Sequence, residues 1–159
     1  MKPLVYVETS VISYLTARPS RDVVTAARQV WTRDWWDQAD QHWTLAASEL
    51  VVEEAARGDP TAAQRRLVAL EPINLIPMTQ EMPIFAQRLI AAGAIPATEP
   101  EDALHLAVAT LSSAYYLVSW NFAHLVGPRS KIQLIESIRQ LGKVPTLLAT
   151  PEELLETLP

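Results

Sequence analysis

Four side chains carry oxygen atoms at positions where structure alone has little use for them. Glu8 follows the apolar run Leu4-Val5-Tyr6-Val7, so it stands at the carboxyl end of a predicted strand, where burial gains nothing from a negative charge. Glu54 comes four residues after Leu50 and three after Val51. On a helix that spacing keeps its stem on the apolar face and turns its carboxylate to the core edge, where it needs a partner. Asp102 lies in the first turn of a predicted helix whose core stripe is Leu104, Ala107, Val108 and Leu111, on an adjoining face with His105 and Ala109. Asn121 comes just after the run Tyr115 to Ser119, which places an amide past the end of another strand. Carboxylate and amide oxygens are the ligands a hard divalent cation prefers. Each residue also has an ordinary reading: Glu8 and Asp102 as helix-start carboxylates favoured by the dipole, Asn121 as a turn former, and His105 as a core-edge histidine bonded to a neighbour.

Neighbouring groups have structural roles of their own. Glu49, Glu53 and Arg57 are spaced four apart and predict a solvated stripe with a Glu53–Arg57 ion pair. Thr98-Glu99-Pro100-Glu101 fits a capping box with Thr98 as the cap and Glu101 reaching back. His42 and His124 carry little signal. Four of the five tryptophans fall between Trp31 and Trp43, which suits a packed helix face or a partner surface better than a base-stacking array.

The elements that must position these residues alternate. Strands are predicted at Leu4 to Val7, Trp43 to Ala47, Ile73 to Ile76, Tyr115 to Ser119 and Thr146 to Ala149. Between them fall helices from Val11 to about Ala17, on toward Gln41, from Glu49 to Arg57, from Asp59-Pro60 through Leu70, near Glu81 to Ala92, from Thr98 to about Ser112 and near Ser130 to Leu141. Thr9 or Ser10 is the expected cap of the first helix and Ser48 of the third. Short, uniformly apolar strands alternating with helices predict an α/β protein with a parallel sheet covered on both faces. Ligands in such folds bind beyond the carboxyl ends of the strands. If the first and fourth strands are neighbours, Glu8 and Asn121 flank that crevice.

Composition narrows the function classes. The 159 residues fit one domain, 1–159, and 49% hydrophobic residues supply one sizeable core. A net charge of -5 argues against holding nucleic acid by a broad basic surface. It leaves room for a nuclease, because carboxylates gathered around a divalent ion are acidic until the metal binds. The absence of cysteine removes disulfides, thiolate zinc sites and cysteine nucleophiles. Nothing resembles a signal peptide or a membrane span, so the chain is expected to be soluble and cytoplasmic. A phosphatase on a similar sheet is disfavoured, since Glu8 stands where an aspartyl nucleophile belongs and only four glycines are present, none in a phosphate loop.

Four segments, in order and spacing, carry a likeness: Val5 to Ile12, Ser48 to Glu54, Glu101-Asp102-Ala103-Leu104-His105-Leu106-Ala107 and Leu117 to Leu125. Together they resemble the PIN domain, closest to the VapC-type toxins of bacterial toxin–antitoxin pairs, over nearly the whole chain. The resemblance implies a three-layer α/β/α fold with strand order 3-2-1-4-5, a magnesium- or manganese-dependent ribonuclease, a homodimer and a small antitoxin partner. It assigns the family's acidic positions to Glu8, Glu54, Asp102 and Asn121 as catalytic and metal-binding residues, with Ser10 beside them. Three carboxylates about 4 Å apart repel by roughly 4 kcal/mol per pair at an effective dielectric near 20, and a divalent ion removes that cost. Glu8 and Asn121 stand where the family generally has Asp, which predicts weaker metal binding and a preference for manganese. Arg18 and Arg21 are candidate phosphate contacts, and His105 a candidate substrate contact. The rival expectation is a PIN-fold interaction module with weakened or lost catalysis.

Overall fold

The computed structural model describes residues 1–159. Its strands are β1 (Leu4–Val7), β2 (Thr44–Ser48), β3 (Asn74–Ile76), β4 (Tyr116–Val118) and β5 (Leu147–Ala149). The helices are α1 (Thr9–Thr16), α2 (Val23–His42), α3 (Glu49–Ala55), α4 (Pro60–Leu70), α5 (Glu81–Ala91), α6 (Pro100–Leu111), α7 (Pro128–Gln140) and α8 (Pro151–Leu155). All strand pairs are parallel and the sheet order is β3-β2-β1-β4-β5, the order the PIN resemblance implied. The architecture is three-layer α/β/α. α1 packs against α2, α3 and α4, α2 packs against α8, and α5 pairs with α6.

β1 is central and its Val5, Tyr6 and Val7 are fully buried, as a strand covered by helices on both faces requires. Because β2 follows β1 on one side and β4 lies on the other, the chain reverses direction of travel across the sheet between β1 and β4. The register Val7↔Val118 brings the end of β1 beside the end of β4, which sets Glu8 level with Ser119.

Local details differ from the sequence reading where tertiary contacts intervene. Glu8 itself, rather than Thr9 or Ser10, caps α1 by accepting from the Ser10 amide. Ser48 precedes α3 without a side-chain capping bond, because its hydroxyl is bonded to Tyr6. The Thr98 capping box does not form: Pro100 starts α6, so Glu99 is the cap residue, and its side chain makes no capping bond. α6 is buried almost all round, His105 included, rather than along one stripe. A short α8, capped by a true box between Thr150 and Glu153, was not anticipated. The tryptophans are structural: Trp35 and Trp43 are core residues, Trp31 stacks on buried Trp120 at 6.3 Å, and Trp36 packs on the same core. No helix is long and apolar enough to cross a membrane.

Candidate active site

Strand β1 delivers Glu8 to the carboxyl edge of the sheet, and the first residues of α1 hold it there. Its Oε2 accepts from the Ser10 amide at 3.0 Å, from the Ser10 hydroxyl, and from the Ser119 hydroxyl at 2.8 Å. Those two serines also bind the start of the loop after β4. Ser10 Oγ accepts from the Trp120 amide at 2.8 Å, and Ser119 Oγ accepts from the Asn121 amide at 2.9 Å. Glu8 is only 6% exposed, and this hydrogen bonding offsets the cost of burying its charge. Ser10 is therefore part of the clamp that fixes Glu8 to the β4 exit, a use that accounts for its hydroxyl without a substrate.

Helix α3 places Glu54 toward the core edge, and the partner that position demanded is His105. Glu54 Oε1 accepts from Thr9 Oγ1 at 2.6 Å and from His105 Nε2 at 2.5 Å. Burial pushes the Glu54 carboxyl up, but the hydrogen bond and charge of His105, with the Thr9 hydroxyl, outweigh it and bring the group down to about 2. Burial likewise opposes the charged form of fully buried His105, yet the Glu54 bond and the charges of Glu8, Glu54 and Asp102 raise its pKa. With both ring nitrogens protonated, Nδ1–H donates to Tyr6 Oη at 2.7 Å, and the phenol's own proton goes to Ser48 Oγ at 2.8 Å. Burial holds the Tyr6 phenol well above its ordinary range, so it stays neutral. The result is a buried polar chain, Thr9 and His105 on Glu54, then Tyr6, then Ser48, with every member satisfied.

One turn before His105 on α6, Asp102 makes a second histidine pair. His124 Nδ1 lies 2.8 Å from Asp102 Oδ2, with the two side chains 27% and 15% exposed. His124 is held by Asn121, whose Oδ1 accepts from the His124 amide at 3.0 Å. Phe122 presents its carbonyl to Gly127, where a Cβ would stand 2.3 Å from that oxygen, so the turn closes only over glycine. Glu99, Asp102 and His124 each offer a ligand atom, and these atoms lie within 4.8 Å of one another. Two carboxylates and an imidazole at that spacing form a donor set that fits a divalent ion.

The chain matches no protein-family model, and no curated protein matches it in sequence. Its structure resembles a chain of VapBC2 from Rickettsia felis, solved bound to a DNA fragment from their promoter, with a TM-score of 0.56 at 15% identity over 92% of this chain and 96% of that one. It also resembles VapC20 of Mycobacterium tuberculosis, a sarcin-ricin loop cleaving toxin, with a TM-score of 0.55 at 17% identity over 76% of this chain and 92% of that one. The fold is PIN-like and VapC-like.

Within that PIN-like fold, the structure places Glu8 at the end of β1, Glu54 on α3, Asp102 on α6 and Asn121 just after β4. Of these only Glu54 bonds His105, while the charges of Glu8 and Asp102 act on it through space; the three carboxylates do not form a group of ligand atoms within 4.8 Å of one another. Asn121 turns its oxygen to the backbone of His124. His105 itself has no exposed side-chain surface and both nitrogens bonded, which corrects its reading as a substrate contact. Arg18 and Arg21 lie exposed in the connection between α1 and α2. Arg57 forks onto Glu101 at 2.9 and 3.2 Å instead of pairing with Glu53, because α3 ends at Ala55 and leaves Arg57 outside the helical register that an i,i+4 pair needs.

Glu99, His124 and Arg28 escaped the sequence reading. Glu99 was taken for part of a capping box, and Arg28, whose guanidinium lies 4.8 Å from the Phe122 ring and 5.5 Å from the Trp120 ring, has no motif at all. The one available signal was the three-residue step from Asn121 to His124, the spacing of a side chain that accepts from a turn amide.

Proposed function

We propose that this protein is a divalent-metal-dependent endoribonuclease that hydrolyses RNA phosphodiester bonds, and the toxin of a type II toxin–antitoxin pair. The observation that supports the reading is that Glu54 bonds buried His105 at 2.5 Å on α6, where Asp102 one turn earlier forms with Glu99 and His124 a set of ligand atoms within 4.8 Å of one another, while the charges of Glu8 and Asp102 also act on His105. The PIN-like fold, shared with a toxin described as cleaving the sarcin-ricin loop, supports it. Asp102 would hold magnesium or manganese within that set, with the charges of Glu8 and Glu54 acting on the same helix turn.

When bound, the ion supplies charge neutralisation for the attacking and leaving oxygens of the phosphodiester. The protein's own residues do the rest. Glu54, ionised down to about pH 2 and held through one oxygen by Thr9 and His105, keeps its other oxygen to accept from the attacking water. Water forms the new P–O bond as the P–O bond to a ribose oxygen breaks; the proton of the water leaves to solvent, and the departing ribose oxygen takes up a proton from solvent to become a hydroxyl. Ser10 and Ser119 fix Glu8 through Oε2 alone, so its other oxygen is not used by the clamp. Arg18 and Arg21 are the candidate phosphate contacts, exposed as such a role needs.

A small antitoxin and a second copy of the chain are the proposed protein partners. The structural likeness to a chain of VapBC2 supports the first. The exposed Val23, Val24 and Val30 on α2 offer apolar surface for either.

The test is incubation of the purified chain with RNA and manganese beside Glu54→Gln and Asp102→Asn. Cleavage by the unmodified chain alone supports the enzyme. Equal cleavage by all three points to a contaminant, and none by any of them to the interaction-module alternative.

A further inference from the structure

The resemblance assigned the fourth metal position to Asn121, yet in the structure the Asn121 oxygen is already engaged by the chain's own backbone. Oδ1 accepts from the His124 amide at 3.0 Å, and the Asn121 amide itself donates to Ser119 at 2.9 Å. What this arrangement presents beside Asp102 is the ring of His124. Its Nδ1 lies 2.8 Å from Asp102 Oδ2, and ligand atoms at about 2.1 Å from one ion and at right angles to each other stand about 3.0 Å apart. Glu99 offers a third atom within 4.8 Å of both. The His124 side chain is 27% exposed and that of Asp102 15%, so an ion and its waters reach both from solvent.

We infer that His124 is a nitrogen ligand of the divalent ion, with Asp102 and Glu99 as its oxygen partners, and that Asn121 is a positioning residue that fixes the turn presenting the imidazole. The assignment rests on the proposal that this site binds a divalent ion. It changes the chemistry of the site from all-oxygen to mixed nitrogen and oxygen. Imidazole favours first-row transition ions, and affinity for them rises from manganese through iron and cobalt, whereas magnesium keeps to oxygen and retains its waters. The site therefore selects manganese or a later transition ion over magnesium for a reason independent of the Glu8 side-chain length. An ion seated there takes the place of the hydrogen bond between His124 and Asp102.

The other histidine of the site does not compete for this role. His105 has both nitrogens committed, to Glu54 and to Tyr6, and no exposed surface. A nitrogen signal from a bound ion thus reports His124.

The experiment is manganese binding to the full chain, followed by electron paramagnetic resonance with detection of nitrogen coupling, on the unmodified chain, His124→Ala, His124→Gln, Asn121→Ala and Asn121→Ser. Circular dichroism of each variant confirms that it is folded. The expected result is imidazole-nitrogen coupling in the unmodified chain, its loss in both His124 variants, and manganese affinity lower in them by about tenfold or more, at least the loss typical of removing a mere outer-shell partner. Asn121→Ala keeps the coupling with weaker affinity, and Asn121→Ser, which retains a turn-capping oxygen, restores that affinity. Excess magnesium leaves the manganese signal in place. Manganese bound without nitrogen coupling, or coupling that survives His124→Ala, overturns the assignment while leaving metal binding standing. Failure of the unmodified chain to bind manganese at all sinks the assignment and the metal-dependent reading beneath it together.

Discussion

Two histidine–carboxylate pairs stand one turn apart on α6, and they are built for opposite ends. His105 and Glu54 meet at 2.5 Å in a place where the imidazole has no exposed surface, and Thr9, Tyr6 and Ser48 complete the chain of bonds on either side. Asp102 and His124 meet at 2.8 Å where both remain partly open to solvent, and a third carboxylate, Glu99, lies within ligand reach. The same two residue types give a fixed internal strut in one case and an exchangeable donor set in the other. The difference is burial: a pair whose imidazole is fully buried with both nitrogens bonded is costly to break, while a partly exposed pair can trade its hydrogen bond for an ion at small cost.

The sharpest way to break the comparison is His105→Ala. Removing one member of the buried pair strands the Glu54 charge and the Tyr6 phenol, so the expected loss is about 3 kcal/mol or more of folding stability, read by urea unfolding. A loss under about 1 kcal/mol would mean that water reaches the pair and that it is no strut.

Acid and alkali attack the strut from its two sides. Glu54 falls from an ordinary 4.5 to about 2 on folding; a depressed carboxyl stabilises above its unfolded pKa, so its contribution is complete above pH 4.5 and disappears as pH falls through about 2. His105 is raised above 6.5; a raised histidine stabilises fully below its unfolded value, and that share is lost as pH climbs through the folded one. The strut is at full strength between about pH 4.5 and 6.5. Unfolding measured across pH should show stability declining on both flanks, and His105→Ala should flatten both.

Thr9→Val removes a single donor from Glu54 and should cost about 1 kcal/mol in the same assay. The smallest effect belongs to His124→Ala, which in metal-free protein should change stability by no more than about 0.5 kcal/mol, seen as a nearly unmoved melting curve. A large loss there would make His124 a strut as well and erase the distinction between the pairs.

Much of the fold was written in the local pattern. Each strand was short, apolar and bounded by polar or turn residues, and each helix carried its own start or stop, such as Asp59-Pro60 at α4, whose Asp59 does accept from Ala62. Those signals act over a few residues, so a linear reading finds them. The failures have a different origin. Thr98 lost its box because Pro100 moved the start of α6 by one residue, and Arg57 left Glu53 because Glu101 arrived from another helix. In the candidate site, Glu8, Glu54 and Asp102 stood out as candidates because of their positions at a strand end, on an apolar face and in a first turn.

By itself the sequence determined the order of elements, the parallel sheet and the placement of the carboxylates at a strand end, on a helix face and in a first turn, since burial and periodicity leave their mark residue by residue. Only the tertiary structure decided which partner each one received. His105 meets Glu54 across 51 positions and His124 meets Asp102 across 22. Such distances are closed by strand order and helix packing, and a side chain's neighbours in space carry no signature in its neighbours along the chain.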